Sequence, residues 1–100
     1  QIHIAVEKTK FGLLEKDVNE IISVKNQYKN VNIKGLMGMA TFTNNKTQIK
    51  DEFNYLLSVF NKYKVLNTLS MGMSGDYKIA IKCGSNMIRI GSSIFGTRNY

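Results

Sequence analysis

The chain has a single cysteine, Cys83. That excludes an internal disulfide and any cysteine-rich zinc site, since each needs at least two thiols. No apolar run approaches the ~20 residues that a membrane-spanning helix requires. The start at Gln1 has neither the charged n-region nor the apolar h-region of a secretory signal. No three basic residues stand together, and aromatic residues do not interleave with the lysines as a stacking platform for nucleic acid requires. There is no Ser-His-Asp arrangement, no pair of carboxylates placed for acid–base work, no Walker loop and no G-x-G-x-x-G fingerprint. These absences point away from a membrane and from the common catalytic classes. A reducing cytoplasm is the compartment that fits best.

What is present suits one small globular domain. Hydrophobic residues make up 43% of 100 residues, enough for a packed core. Fourteen Lys and Arg oppose seven Asp and Glu, giving a formal charge of +7. The lysines are dispersed along the sequence, which favours a solvated basic surface over a dedicated polyanion-binding face. The chain lacks an initiator Met, and Ile2, Ile4 and Val6 already alternate like a strand. It therefore reads as a cut from a longer protein, with residues 1–100 as one partial domain.

Hydrophobic spacing predicts alternating strands and helices. Gln1–Val6 reads as a strand. A helix follows Gly12, with Glu15, Asp17 and Glu20 in its first turns, where the dipole favours acid. Leu14, Val18, Ile21, Ile22 and Tyr28 share its apolar face, and Lys25 and Lys29 sit near its C-terminal end. Asn32–Met39 is a nearly continuous apolar run of the kind that forms a buried parallel strand. Asn45 is a candidate N-cap, with Gln48 completing a capping box, for a second helix that buries Ile49, Phe53, Leu56, Leu57 and Phe60. Lys62 and Lys64 close it. Thr68–Met71 is a third strand, a short helix holds Ile79, Ala80 and Ile81 before Gly84, and Met87–Ile90 is a fourth strand. A last turn opens at Gly91. About four parallel strands alternating with helices make an α/β protein equal to half of a (β/α)8 barrel. An open sheet of that kind leaves its edge strands unpaired, so the chain belongs to a barrel or self-associates.

Two loops follow strands and open helices, which is where free backbone N–H groups suit a phosphate. Ser74 is placed to be an N-cap in the first, and Gly91, Ser92 and Ser93 begin the second. Such Ser-Gly loops also serve as plain caps and turns. Arg89 interrupts Met87, Ile88 and Ile90, and a buried arginine needs either a structural partner or a polar ligand. His3 has no Cys or carboxylate cluster near it and reads as structural. Cys83 reads as a buried thiol with no base to activate it.

At these residues the sequence resembles the pyridoxal 5′-phosphate homeostasis proteins. The resemblance rests on Leu69-Ser70-Met71-Gly72-Met73-Ser74-Gly75-Asp76, Ala80-Ile81, Gly84-Ser85, Met87-Ile88-Arg89-Ile90-Gly91-Ser92 and Ile94-Phe95-Gly96-Thr97-Arg98-Asn99-Tyr100. Lys10-Phe11-Gly12 and Gly35-Leu36-Met37-Gly38-Met39 are two further markers in the same order. The resemblance implies the second half of an alanine-racemase-type (β/α)8 barrel that carries pyridoxal 5′-phosphate (PLP) and keeps the cofactor pool balanced without a defined turnover. It implies that Ser74 binds the phosphate, that Gly91 and Ser92 bind it through backbone N–H, and that the Ser92 hydroxyl joins them. A threonine is commoner in the family where Ser92 stands, and both supply a hydroxyl. Arg89 would face the pyridine nitrogen. A nitrogen kept unprotonated beside a cation makes the cofactor a poor electron sink, which suits a carrier. The lysine that forms the Schiff base belongs to an early strand outside this sequence, and Lys10 matches a different marker. Two other readings stay open: a racemase-type PLP enzyme, which needs an acid/base on each ligand face, and a basic nucleic-acid-binding module, which the dispersed charge does not favour.

Overall fold

Two short strands lie parallel against one long helix, and that helix carries most of the core. The computed structural model describes residues 1–97, so Arg98, Asn99 and Tyr100 of the resemblance lie outside the described residues. Strand β1 is Gly35–Gly38 and β2 is Thr68–Met71, paired in register from Gly35 opposite Thr68 to Gly38 opposite Met71. Helix α1 spans Glu15–Ser23, α2 spans Lys46–Phe60, α3 spans Tyr77–Lys82 and α4 spans Ser92–Phe95. The β1–α2–β2 stretch is the parallel-strand crossover expected from the alternation. No helix among the described residues is long and apolar enough to cross a membrane.

The four-strand expectation is corrected to two strands, with the Ile2 segment joined to β1 by a backbone hydrogen bond and the Met87 segment to β2 by one bridge. Ile2 N–H donates to the Met37 carbonyl at 2.8 Å. The ladder then leaves the backbone, because Val6 N–H finds the Thr41 hydroxyl at 2.9 Å. The outer side of the same segment is occupied by the chain itself: His3 N–H donates to Leu13 O and Leu13 N–H to Gln1 O. On the far side Met87 makes one parallel bridge with Ser70. There the Asn86 side chain takes the place of a strand residue, its Oδ1 accepting from Leu69 N–H at 2.8 Å and its Nδ2 donating to Asn67 O at 2.8 Å. Side chains thus satisfy backbone groups that a longer ladder would have used.

Helix ends follow local chemistry. Asn45 Oδ1 accepts from Gln48 N–H at 3.1 Å, the expected N-cap of α2. The reciprocal half of the capping box does not form, because Gln48 Nε2 donates to Glu52 instead. Asp17 Oδ2 accepts the Leu14 N–H at the start of α1. Helix α1 stops at Ser23, short of the expected Tyr28 and Lys29, and continues only as a 3-10 turn at Lys25–Gln27. Residues Asn26, Gln27, Tyr28, Lys29 and Asn30 are all exposed, so no burial rewards another turn.

The core lies between α2 and the sheet. Phe53, Leu56, Val59, Leu69 and Met71 are fully buried, with Ile2 and Ala80 closing the two sides. One buried charge is held within it. Glu52 accepts from Thr41 N–H at 2.6 Å, from the Thr41 hydroxyl at 2.7 Å and from Gln48 Nε2 at 3.1 Å. That set of donors compensates the carboxylate and fixes the loop leaving β1.

Phe53 fills the centre of this core, so Phe53→Ala is expected to cost about 3–5 kcal/mol, a large share of the total stability of a small domain. Urea unfolding followed by circular dichroism measures it; a loss below about 1 kcal/mol would contradict the packing.

Candidate functional site

The parallel register places the loops leaving β1 and β2 at one edge of the sheet. Gly72 makes the turn out of β2 with φ +108, a conformation that L side chains rarely adopt. A Cβ there would also sit 2.8 Å from the Ala80 Cβ. Gly72 O accepts the Arg89 N–H at 2.8 Å, which ties the last segment to this turn. The chain then closes into α3: Asp76 Oδ1 accepts from Met73 N–H at 2.8 Å, and Tyr77 N–H donates to Met73 O at 2.8 Å.

Ser74 is therefore not the N-cap that its position suggests. Asp76 occupies that place in α3, and the Asp76 carboxylate has already turned back to Met73. The Ser74 hydroxyl points across to the other loop instead. Its Oγ accepts from Gly91 N–H and from Ser93 N–H, both at 3.2 Å. The two amide-rich corners meet through one oxygen. Both bonds are long for N–H···O, at the outer limit of the usual range.

The remaining expected residues are placed unequally. Gly91 is exposed, and an added Cβ would meet nothing within 4 Å. Space therefore opens in front of its backbone. Ser92 is exposed beside it, and its hydroxyl makes no hydrogen bond among the described residues. Ser93, not Ser92, is the residue whose amide reaches Ser74. Arg89 is half-buried, and its Nε and Nη2 are inaccessible and have no hydrogen-bond partner among the described residues. A guanidinium with two orphaned donors is expensive to bury, so the site is short of an acceptor. The open backbone at Gly91, the convergent amides and the unpaired guanidinium all suit an anionic ligand with a further acceptor atom.

A cleft of about 360 Å³ adjoins the Ser74 corner, lined by Lys46, Lys78, Tyr77, Asp76, Ser74 and Ser93 among others. Sequence reasoning named Ser93 in the second loop without giving it a ligand role, and it missed Lys46 and Lys78. Lys46 could not have been found, because it reaches the cleft only through the packing of α2 beside α3. Cys83 is buried, and burial pushes its thiol up from the ordinary value, opposed by the charge of Lys50. A thiol so protonated is a poor nucleophile.

Comparison with known proteins agrees with this architecture. A family model described as alanine racemase, N-terminal domain, matches residues 1–99. A pyridoxal phosphate homeostasis protein of Helicobacter pylori is 36% identical over 96 residues, covering 95% of this chain and 43% of that protein. The structure of PipY from Synechococcus elongatus, with PLP bound, superposes with a TM-score of 0.79 at 26% identity, over 92% of this chain and 47% of that one. A protein from Bifidobacterium adolescentis superposes with a TM-score of 0.83 at 25% identity, over 94% of this chain and 40% of its own. The chain spans less than half the length of these relatives.

The two glycines of the site separate turn geometry from ligand access. Gly72→Ala is expected to destabilise by about 2 kcal/mol or more, from backbone strain and the Ala80 clash. Gly91→Ala is expected to stay within about 0.5 kcal/mol, as at an open surface position. Thermal melts of both variants test this, and equal losses would refute the distinction.

Proposed function

Because this chain belongs to the alanine racemase N-terminal domain family, we propose that Ser74, Arg89, Gly91 and Ser92 hold PLP in a protein that carries and buffers this cofactor. The observation that carries the reading is the Ser74 hydroxyl, bridged by the Gly91 and Ser93 amides on the loop that follows a half-buried Arg89 whose Nε and Nη2 have no partner among the described residues. The naming of the Helicobacter pylori relative and the PLP in PipY support it.

The roles follow from hydrogen-bond accounting. With both amides aimed at its lone pairs, Ser74 keeps its own O–H free to donate to a phosphate oxygen, and the amides polarise that donor. Gly91 leaves room for the phosphate to approach the backbone, and Ser92 adds a hydroxyl. Arg89 supplies donors to an acceptor that needs no proton, which fits an unprotonated pyridine nitrogen. PLP, when bound, supplies an electron sink to amino compounds. An arginine that holds the proton off the ring nitrogen weakens that sink, so binding and storage suit this residue better than turnover.

Residues 1–100 fit the second half of a (β/α)8 barrel, a partial domain whose remaining strands belong elsewhere in the relatives' length. The outer edge at Met87–Ile90 would then pair with a second copy or with the complementary half. Sedimentation of the isolated chain should give a dimer or larger species; a folded monomer at high concentration would count against this. A cytoplasmic location suits the free thiol of Cys83.

Pyridoxine 5′-phosphate and pyridoxine isolate the non-covalent contacts, because neither carries an aldehyde to react with surface lysines. Calorimetric titration of the chain should show binding of the phosphorylated compound at least about tenfold tighter, since one charge-assisted hydrogen bond is worth about 1.5–3 kcal/mol. Ser74→Ala should erase much of that preference, whereas Arg89→Gln should weaken both compounds alike. Equal binding of the two compounds by the unmodified chain would overturn the assignment.

A further inference from the structure

We propose that the groove between α2 and α3 is a docking surface for the sugar-phosphate backbone of a nucleic-acid strand. Lys46 and Lys50 lie one turn apart on α2, and Lys78 and Lys82 one turn apart on α3. Lys46 and Lys78 line the same cleft of about 360 Å³. At the other end Leu57 of α2 lies against Gly84, just past α3, where an added Cβ would be 3.2 Å from Leu57 Cδ1. The helices therefore run side by side in the same direction. The charge of Lys50 is also felt at the Cys83 thiol that ends α3. Side chains four apart on a helix are about 5–6 Å from one another, and packed helices are about 8–10 Å apart. Lys46 and Lys78 thus share the cleft, and Lys50 and Lys82 stand one turn further along the same faces of their helices.

The charges of this strip are not spent within the molecule. All four lysines are exposed. The ion pairs among the described residues are Lys10–Glu7 and Lys62–Glu15, so none of the four is paired. Of the nearby acids, Glu52 is buried on Thr41 and Gln48, Asp51 lies about 100° around the helix from Lys50, and Asp76, which accepts from Met73, is the carboxylate that lines the cleft itself.

The chemistry of the groove selects among polyanions. Ile79 is the only aliphatic side chain of the cleft lining, and it is half-buried against the core. A protein partner needs apolar anchors at the centre of its interface. A flat anionic bilayer would meet the rims of a concave groove and not its floor. Tyr77 adds a hydroxyl to the cleft lining, a donor to phosphoryl oxygens. Binding by lysine charge with hydroxyl support is the sequence-independent mode of backbone recognition.

The test is fluorescence anisotropy of the full chain with a labelled oligouridine over a range of salt concentrations. The quadruple variant K46Q/K50Q/K78Q/K82Q should bind at least about tenfold more weakly at low salt. Its log–log salt slope should shrink by about 2–3, the value for four contacts at 0.7 each. A control with equal charge change elsewhere, K16Q/K29Q/K34Q/K64Q, should lose less than about threefold. Circular dichroism melts verify folding, and K46Q/K78Q serves should the quadruple variant not fold. Equal losses in the two variants, a flat salt response, or tighter binding of a polyglutamate of matched charge would each overturn the proposal.

Discussion

The parallel pairing of β1 with β2 is the constraint on which the molecule rests. Parallel strands need a crossover, and α2 is that crossover. Once α2 lies across the pair, its apolar face supplies Phe53, Leu56 and Val59 to a core shared with Leu69 and Met71. The strands approach closely enough at Gly35 that a Cβ there would collide with the Thr68 backbone. The direction of pairing also decides where chemistry can occur. Both strands leave the sheet at the same edge, so the Thr41 loop and the Gly72–Asp76 turn become neighbours. In α/β proteins ligands collect at that edge.

The same edge shows how polar groups at one place can serve structure and at another remain available. Glu52 and Thr41 form a closed set: the carboxylate accepts three hydrogen bonds, and Thr41 in turn accepts from Val6. Glu7 joins the neighbouring amide, accepting from Phe42 N–H at 3.1 Å and from Lys10 Nζ at 3.0 Å. The Lys10 contact and the Phe42 amide hold the Glu7 carboxyl below its ordinary value. Its stabilising effect is present above the usual carboxylate range and fades as pH falls through the lowered value. Around Ser74 the accounting is left open, with long bonds from two amides and an arginine whose Nε and Nη2 have no partner among the described residues. A closed network fixes a loop; an open one leaves donors for something else.

The sequence carried α2 and β2 well, because they depend on local spacing. Asn45 capped α2 as expected, and Thr68–Met71 is a strand over the predicted residues. The first and fourth strands do not extend into ladders, since Thr41 and Asn86 offered side-chain partners that no periodicity reveals. Ser74 shows the same limit more sharply. Its place before a helix suggested a cap, but Asp76 was two residues closer to the helix and competed for that role. Freed from capping, Ser74 reached Gly91 and Ser93 across 17 and 19 residues. That contact depends on the Arg89–Gly72 hydrogen bond aligning the two loops, a long-range fact invisible to spacing.

The lysines make the corresponding point for charge. Along the chain Lys46, Lys50, Lys78 and Lys82 fall in two pairs nearly 30 residues apart, and dispersed charge of that kind implies only solubility. Packing α2 beside α3 brings two helical i, i+4 pairs to a strip around one cleft, and no acidic residue among the described residues is ion-paired with it. Such a strip is costly to maintain, because like charges repel within it and stability gains nothing in return. The open Ser74 corner next to it is costly in the same sense, with its guanidinium held short of acceptors. Two adjoining regions that weaken the fold while sharing one edge are better explained by what they bind than by the core they surround.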